Sequence, residues 1–370
     1  MFFIFILIFG SLLTGMNYFV YRYLLLYFFP EKTGAVLIFS VNIFALLYIC
    51  GLRILKLPDF LNKTGALCLG ISFMLFVTAI LHKAGDWFII RKSLPVDQKK
   101  RKFLSTCYKG LILGAGTGYL GKGIFNGRSL PFVKSIPVHI KNLSSPLTIV
   151  HLTDIHLGIF LQKNFLEDIV NITNKQSPDI VVITGDIIDM QPEDIDDILD
   201  PLKQIKARYG VFCVPGNHEY YYGVTGILDK IKKLGVTILG NESRQVAGIN
   251  IAGVYDLAAF RMKHKLIPDL EAALKDSVPE IPTVLLSHQP KFIHHVKKHH
   301  RIDLMLSGHT HAGQIFPFSL LVLLDQPYLK GLYRHDEITQ VYVSSGVGFW
   351  GPPIRFGAPA EIAVLHLTRD

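Results

Sequence analysis

The chain has 370 residues, enough for one large domain and an appended module, and its 38 Lys and Arg residues outnumber its 29 Asp and Glu residues. Residues 1–134 hold 16 basic and 4 acidic residues, whereas the rest of the chain holds 22 basic and 25 acidic residues. A nucleic-acid-binding surface is therefore not expected on the C-terminal part, and a disulfide within that part is excluded because Cys213 is its only cysteine.

The first third of the chain contains three long apolar stretches. They cover residues 2–20, 34–52 and 65–81, and each is close to the roughly 20 residues that an α-helix needs to cross a bilayer. Residues 2–20 lack the basic start and the small-residue cleavage site of a signal peptide. The sequence therefore predicts that residues 1–125 form an integral membrane module of three to four transmembrane helices.

A basic loop follows these stretches. Seven Lys and Arg residues lie between Leu81 and Phe103, which makes this loop cytoplasmic by the positive-inside rule. The next apolar stretch, residues 110–121, is short for a span. If it crosses the bilayer, the remaining chain lies outside the cytoplasm, and if it lies in the interface, the remaining chain is cytoplasmic. A basic run before a modest apolar core is typical of an export signal, so we expect an extracytoplasmic domain.

A linker is predicted at residues 126–146. This stretch contains Pro131, Pro137 and Pro146 together with Ser144 and Ser145, which are residues typical of loops. Residues 147–370 then form the second domain.

The second domain alternates apolar stretches with short polar fragments. Residues 147–150, 180–183 and 211–214 are rich in Val, Ile and Leu, as buried strands are. Five fragments follow such stretches in order: Thr153-Asp154-Ile155-His156, Gly185-Asp186-Ile187-Ile188-Asp189, Pro215-Gly216-Asn217-His218-Glu219, Leu286-Ser287-His288 and Ser307-Gly308-His309-Thr310-His311.

These fragments offer ligands for metal ions. Asp and His suit hard-to-borderline divalent cations, and an Asn carbonyl adds a neutral oxygen donor. Loops beyond the carboxyl ends of strands converge in an α/β sheet, so fragments far apart in sequence can meet there. In Asp154-x-His156 and His309-x-His311 we expect an extended backbone to point both side chains the same way. The sequence therefore predicts a two-metal site.

Residues 147–370 resemble the calcineurin-like metallophosphoesterase family, because all five fragments occur in order. The C-terminal segments look most like the membrane-linked bacterial branch of that family. The resemblance implies an α/β fold, a four-layer α/β-β/α sandwich with two sheets face to face and helices outside. It also implies the ligand sets, which are Asp154, His156, Asp186 and His311 for the first metal, and Asp186, Asn217, His288 and His309 for the second, with Asp186 bridging.

The resemblance further implies hydrolysis of a phosphoester or phosphoanhydride by in-line attack of a hydroxide that bridges two divalent metal ions. His218 would be the catalytic histidine that protonates the departing oxygen, and Asp189 would orient it. The ligand chemistry permits manganese, iron or zinc.

The first functional hypothesis is a membrane-anchored phosphohydrolase that acts on a phosphorylated small molecule or lipid, such as an envelope precursor. A broad-specificity phosphodiesterase or nuclease is the alternative enzyme. A non-catalytic membrane scaffold would be expected to lack His218 or an open coordination position, and the sequence retains every expected residue.

Two segments beyond the last fragment bear on the substrate. Leu320 to Leu324, with Phe316 and Phe318, could form a lipid-facing lip, and the alternative is a buried strand or helix turn. The glycine-rich residues 344–357 would let main-chain groups approach a phosphate. Arg355 is predicted to clamp a substrate oxygen, since a guanidinium matches phosphate geometry.

Three further features favour structural readings. His151 and His366 are expected to pack in the core, and Glu219 to face solvent or to support the ligands from behind. The histidines between residues 294 and 300 suggest a solvated helix face more than a metal site.

Overall fold

The structure is a computed structural model that describes residues 2–51, 57–91, 97–195 and 197–369. Contacts between residues divide the chain into two units. The helical unit contains Met1–Arg128 and Gly351–Phe356, and the sheet unit contains Ser129–Trp350 and Gly357–Asp370.

The helical unit contains the helices α1 (Phe2–Val20), α2 (Leu26–Phe28), α3 (Glu31–Gly51), α4 (Asp59–Gly85) and α5 (Gln98–Arg128). Two helical stretches, Glu31–Gly51 and Asp59–Phe88, are long and apolar enough to cross a membrane. The predicted stretch at residues 2–20 forms a helix as well, α1, but it is not one of these two. Lys92 of the predicted basic loop lies outside the described residues.

Residues 110–121 do not form a separate short element. They lie inside α5, which runs without a break for 31 residues. At 1.5 Å per residue this helix is roughly 46 Å long, which exceeds the hydrocarbon thickness of a bilayer. Its charged N-terminal turns lower its average hydropathy, and α5 is not among the stretches apolar enough to qualify as a span.

Glycines let the helical unit pack closely. A Cβ on Gly65 of α4 would lie 2.5 Å from the carbonyl oxygen of Phe44 on α3, so only glycine allows this approach. On α5, a Cβ on Gly127 would lie 2.3 Å from the carbonyl oxygen of Pro353. Residues 351–356 therefore occupy a notch that the glycines of α4 and α5 leave open.

The sheet unit contains twelve strands and six helices among its described residues. In chain order they are β1 (Phe132–Ile140), β2 (Leu147–Leu152), α6 (Lys163–Asn174), β3 (Ile180–Thr184), β4 (Val211–Val214), α7 (Asn217–Tyr222), α8 (Val224–Lys233), β5 (Thr237–Ile238), β6 (Glu242–Val246), β7 (Ile249–Gly253), α9 (Ala258–Met262), α10 (Leu270–Leu274), β8 (Thr283–Leu286), β9 (Leu304–Ser307), α11 (Ser319–Val322), β10 (Gly331–Arg334), β11 (Gln340–Val343) and β12 (Glu361–Arg369).

Two six-stranded sheets form the centre of this unit. Their strand orders are β1-β12-β2-β3-β4-β5 and β10-β11-β9-β8-β7-β6. Strands β2 to β5 run parallel, as do β7, β8, β9 and β11, while β12 is antiparallel to β2, and β6 and β10 are antiparallel to their neighbours.

Alternating side chains separate the layers. In β3, Ile180 and Val182 join a core that also contains Val284 and Leu306 of the second sheet, so the sheets face each other. The intervening Val181 packs in a second core with residues of α6 and α8 on the outer face. A third core covers the outer face of the second sheet with α10. This four-layer α/β-β/α sandwich confirms the predicted fold class.

The structure differs from the predicted linker at residues 126–146. Phe132–Ile140 form the edge strand β1, which pairs in parallel with β12 through nine residue pairs. Pro137 lies within this strand, and the absence of its backbone N–H is tolerated because β1 has a neighbour on one side only. The proline signal indicated a loop, while the partner strand that stabilises β1 lies more than 200 residues further along the chain.

Candidate metal centre

The candidate ligands lie where parallel strands end, as the sequence predicts. Asp154 and His156 follow β2, Asp186 follows β3, and Asn217 follows β4 at the start of α7. His288 follows β8, and His309 and His311 follow β9. Both sheets therefore supply side chains to one place, and all seven side chains belong to the sheet unit.

One group of side chains corresponds to the predicted first metal. Asp154, His156 and His311 bring ligand atoms within 4.8 Å of one another. The Nε2 atoms of His156 and His311 are 3.0 Å apart, and His311 Nε2 lies 3.4 Å from Asp154 Oδ1.

A second group corresponds to the other predicted metal. His288 Nε2 lies 3.2 Å from Asp186 Oδ2, 3.0 Å from Asn217 Oδ1 and 3.2 Å from His309 Nδ1. Asp186 Oδ2 also lies 3.8 Å from His156 Nε2 in the first group. The Asp186 carboxylate therefore lies between the two groups, as a bridging ligand must.

The hydrogen bonding of His288 shows that this arrangement fits a cation. His288 Nδ1 donates to the carbonyl oxygen of Thr184 at 2.8 Å, so in the neutral ring the lone pair is on Nε2. That lone pair faces the carboxylate of Asp186 and the side-chain oxygen of Asn217. The His288 lone pair, the Asp186 carboxylate and the Asn217 oxygen all repel one another, so a bound cation would stabilise their close approach. As metal ligands, these nitrogen and oxygen atoms suit manganese, iron or zinc.

The pKa shifts in the metal-free site also indicate that positive charge is favoured among these side chains. Burial disfavours the charged form of His288, but Asp186 and Asp154 together raise its pKa well above the usual value. Burial and the neighbouring His288 lower the pKa of His309 to about 3, so His309 is a neutral imidazole. Burial opposes ionisation of Asp186, yet the surrounding histidines hold its pKa well below the usual range.

His218 and Asp189 form a separate pair beside the ligands. His218 Nδ1 lies 2.6 Å from Asp189 Oδ1, and His218 Nε2 lies 3.9 Å from Asp186 Oδ2. Burial alone would lower the pKa of His218, but Asp189 and Asp186 raise it to about 9. In the metal-free protein the pair thus places a protonated ring beside the two groups of candidate ligands. Asp189 also contacts His156 Nδ1 at 3.1 Å.

Glu219 is fully buried, which favours the second of its two predicted positions, behind the ligands, over exposure to solvent. Its carboxylate accepts backbone N–H groups of Asp186 at 2.9 Å, Ile187 at 2.7 Å and Gly216 at 2.7 Å. One side chain therefore joins the loop after β3 to the loop after β4. Burial raises the pKa of Glu219, and these backbone donors counteract that effect.

The backbone at the ligands is not extended, which corrects the reasoning for the two x-spaced pairs. Asp154 and His156 have φ of 54° and 51°, and His309 and His311 have φ of 69° and 48°. All four residues are in the left-handed region, which is uncommon for residues other than glycine and clusters at functional sites. The side chains of each pair still converge, but through tight turns and not through strand alternation.

The glycine-rich residues 344–350 support the ligand loop. The backbone N–H groups of Val347 and Gly348 donate to the carbonyl oxygens of Thr153 at 2.9 Å and Asp154 at 2.8 Å. These donors are used inside the protein, so the expectation that this stretch offers them to a phosphate is wrong for both groups.

Arg355 belongs to a different unit of the chain from the seven candidate ligands. It belongs to the helical unit, where its backbone N–H donates to the carbonyl oxygen of Gly123 at 2.9 Å. Its side chain is 1% exposed. The predicted substrate contact of Arg355 stays a prediction.

Two aromatic residues beside His218 were not predicted. The ring of Trp350 lies 6.1 Å from the His218 ring, and the ring of Tyr221 lies 5.2 Å from it. Tyr221 follows the third fragment directly, which is a signal that sequence reasoning could have used. Trp350 lies 132 residues beyond His218, so nothing local connects the two.

The remaining histidines have structural surroundings. His151 is buried with Nε2 2.7 Å from Thr184 Oγ1, as predicted, whereas His366 is exposed. Residues 294–300 lie in two short 3-10 turns, and His299 and His300 approach Glu271. The N–H of Lys297 donates to His300 Nδ1, so in the neutral ring Nε2 carries the proton that bonds Glu271 and offers no lone pair to a metal.

Comparison with known proteins agrees with this geometry. Residues 147–313 match the family model described as calcineurin-like phosphoesterase. The chain is 44% identical to an uncharacterized metallophosphoesterase of Helicobacter pylori, over 84% of this chain and 83% of that protein. It is 33% identical to a Danio rerio transmembrane protein with a metallophosphoesterase domain, over 84% and 75% of the two chains. The identity extends over most of both chains, and every candidate ligand lies at the end of a strand. This protein is therefore a metal-dependent phosphoesterase of the calcineurin-like family.

Proposed function

We propose that the protein is a membrane-anchored phosphohydrolase with a two-metal centre, acting on a phosphoester or phosphoanhydride of a lipid or envelope precursor. The observation that carries the proposal is the position of Asp186 between two groups of ligands, with the His218–Asp189 pair beside them. Asp154, His156, Asp186 and His311 would hold one ion, and Asp186, Asn217, His288 and His309 the other. Two divalent ions would neutralise phosphoryl oxygens and increase the acidity of water.

The residues of the chain supply the proton chemistry. In the metal-free protein, against the effect of burial, Asp189 and Asp186 raise the pKa of His218 to about 9, and the contact with Asp189 would hold a proton on the ring for donation to the departing oxygen. Asp189 holds Nδ1, which leaves Nε2 on the side of Asp186. Trp350 and Tyr221 flank the ring and reduce its contact with water.

The test uses the full-length chain in detergent. Hydrolysis of p-nitrophenyl phosphate should require added manganese, iron or zinc and should stop when a chelator is added. Activity that survives removal of all divalent metal would contradict the proposal, and a metal-loaded protein without activity on any phosphoester would favour a scaffold.

A second assay separates the enzyme hypotheses. A lipid phosphate such as phosphatidic acid and a dinucleotide would be compared at equal concentration. We expect preference for the lipid, because exposed apolar side chains such as Leu321 and Leu323 follow the last ligand fragment, and a dinucleotide has no apolar chain to contact them. Preference for the dinucleotide would favour the phosphodiesterase or nuclease.

Arg355 is retained as a proposed substrate contact. In Arg355→Lys the charge stays but the paired hydrogen bonds of a guanidinium are lost, so the KM of the folded variant should rise. A large loss of stability with an unchanged KM in the surviving protein would show that Arg355 stabilises the helical unit and does not contact substrate.

A further inference from the structure

An apolar segment borders the candidate metal centre. Residues 316–324, called the lip, contain Phe316, Phe318, Leu320, Leu321, Leu323 and Leu324, whose exposed fractions range from 43% to 83%. The expected alternative, a buried element, is wrong for these side chains, although residues 319–322 do form the short helix α11. So much contiguous apolar surface marks an interaction site.

The lip is held in a defined shape. The N–H of Phe318 donates to the carbonyl oxygen of Ile315 at 2.8 Å, and the N–H of Leu321 donates to that of Phe318 at 2.9 Å. At its base, a Cβ on Gly313 would lie 2.3 Å from the Cα of Ser319, so only glycine permits the turn. These backbone contacts hold the lip in a conformation in which its leucines are exposed.

The end of the lip is fastened to the body of the sheet unit. Gln326 is buried, and its Oε1 accepts the N–H of Lys291 at 3.0 Å. Thr310 Oγ1 donates to the carbonyl oxygen of Leu329 at 2.6 Å, which joins the segment on both sides of the lip. Thr310 lies between the candidate ligands His309 and His311, so the lip and the ligand turn share one support.

A second connection links the lip to the catalytic histidine. Gln314, two residues before the lip, donates to the carbonyl oxygen of Trp350 and accepts the N–H of Trp350, both at 2.9 Å. The Trp350 ring is half exposed and lies 6.1 Å from the ring of His218. Gln314 therefore connects the segment that leads into the lip with the residue beside His218.

The chemistry of the lip fits a lipid bilayer. Residues 315–324 contain no charged side chain, and the first charge, Asp325, is paired with Lys291. Leucine and phenylalanine with tryptophan at the border is the composition of segments that enter the bilayer interface. The chain also carries helices long and apolar enough to cross a membrane. Such helices would keep every copy of the protein at a bilayer, so the bilayer is the apolar partner at the highest local concentration.

We propose that the lip inserts into the bilayer surface and that the metal centre hydrolyses the phosphate of an amphiphile whose apolar chain remains in that bilayer. The inference rests on the proposed function, and it adds the docking surface that would keep the apolar chain of the substrate in the bilayer.

Insertion is measured without reference to activity. A bimane label is placed at Leu321→Cys in a full-length chain whose Cys50, Cys68 and Cys107 are serine, and the chain is reconstituted in phosphatidylcholine–phosphatidylglycerol vesicles. Doxyl-labelled lipid should quench this label, while the same label at Ile338→Cys, an exposed position on the turn between β10 and β11, should not respond. Equal quenching at the two positions, or none at Leu321→Cys, overturns the insertion. Disulfide cross-linking between copies without quenching would assign the lip to a second chain and also overturns it.

Substrate delivery is measured by a kinetic comparison. In Leu321→Ser with Leu323→Ser, kcat/KM for phosphatidic acid in vesicles should fall about tenfold or more, with little change for p-nitrophenyl phosphate. The control, Ile267→Ser with Ile338→Ser, removes two similarly exposed apolar side chains and should leave both activities unchanged. Equal loss on both substrates overturns the proposal. Quenching by lipid in a protein that hydrolyses no phosphoester would instead contradict the proposed function and leave the docking surface standing.

Discussion

At the scale of single residues, the candidate site is arranged through hydrogen bonds that leave one atom of each ring facing the centre. Thr184 holds Nδ1 of His288, and Asp189 holds Nδ1 of His218, so both Nε2 atoms are directed to Asp186. The two rings differ in their neighbours: His288 Nε2 lies within 3.2 Å of atoms of three candidate ligands, whereas His218 Nε2 lies 3.9 Å from Asp186 Oδ2. This difference separates a candidate ligand from a candidate acid.

Replacing His218 should therefore affect turnover and not metal content. We expect His218→Ala to lower kcat on p-nitrophenyl phosphate by about 10²–10⁴-fold, the usual contribution of a positioned acid. Metal analysis of the purified variant should still find the wild-type content. Asp186→Ala is the comparison, since it should lose both metal and activity. Loss of metal in His218→Ala would make His218 a ligand.

The pKa of His218 also predicts how the metal-free protein responds to pH. The folded value of about 9 lies above the ordinary 6.5, so His218 stabilises the fold fully below about pH 6.5, and this contribution disappears as pH rises through about 9. In a chelator, the melting temperature should fall between pH 7 and 10. His218→Gln should weaken that dependence, and an identical pH profile in wild type and variant would contradict the assignment.

At the scale of elements, the ends of five strands are brought together by turns that only small residues permit. A Cβ on Gly308 would lie 2.1 Å from Thr153 Oγ1 and 2.2 Å from Asp154 Oδ2, so the turn after β9 presses directly on the loop after β2. Asp154 in turn accepts the N–H of His309 at 3.0 Å. The loops from the two sheets therefore pack so closely at the site that no side-chain atom fits between them at position 308.

We expect Gly308→Ala to separate these two loops. The fold should survive, because the cores between and outside the sheets are untouched, but metal affinity should fall by about tenfold or more, as for other changes that reorient ligands. Isothermal titration with manganese measures the effect. Gly158→Ala is the matched control, because its Cβ would meet only ordinary contacts, the nearest at 3.5 Å from Asp189 Cβ. Wild-type affinity in Gly308→Ala would show that the loops can move apart freely.

At the scale of the whole molecule, a helical unit and a sheet unit are carried by one chain. Each unit has apolar clusters of its own. The sidedness of the sheet unit depends on whether α5 crosses the bilayer, and its length of 31 residues is sufficient. We propose the extracytoplasmic arrangement, which the basic residues between Leu81 and Phe103 favour.

Protease accessibility tests this arrangement. In sealed, right-side-out vesicles, added protease should cleave the chain after Pro146 and release fragments of the sheet unit without detergent. The basic segment between Leu81 and Phe103 is the internal control, because it should be protected until detergent is added. Protection of the sheet unit, with cleavage only after lysis, would place it in the cytoplasm.

Much of this architecture could be predicted from sequence, because it depends on local patterns. Buried strands such as residues 180–184 are continuous runs of apolar residues, and polar ligands follow them directly. The sequence left two alternatives open for Glu219 and for the lip, and it predicted a linker where β1 lies. In each case the outcome depends on contacts between distant segments, which leave no mark in the neighbouring residues.

The amino-acid sequence alone determined which side chains are available to bind metal and which stretches are strands or apolar helices, since residue type and hydrophobic period act over a few positions. Only the tertiary structure decided that His156 and His311, 155 residues apart, bring their Nε2 atoms to 3.0 Å. It also decided that the leucines of the lip are exposed and that residues 351–356 belong to the helical unit. Such distances and exposures result from packing between distant segments, and no local pattern encodes them.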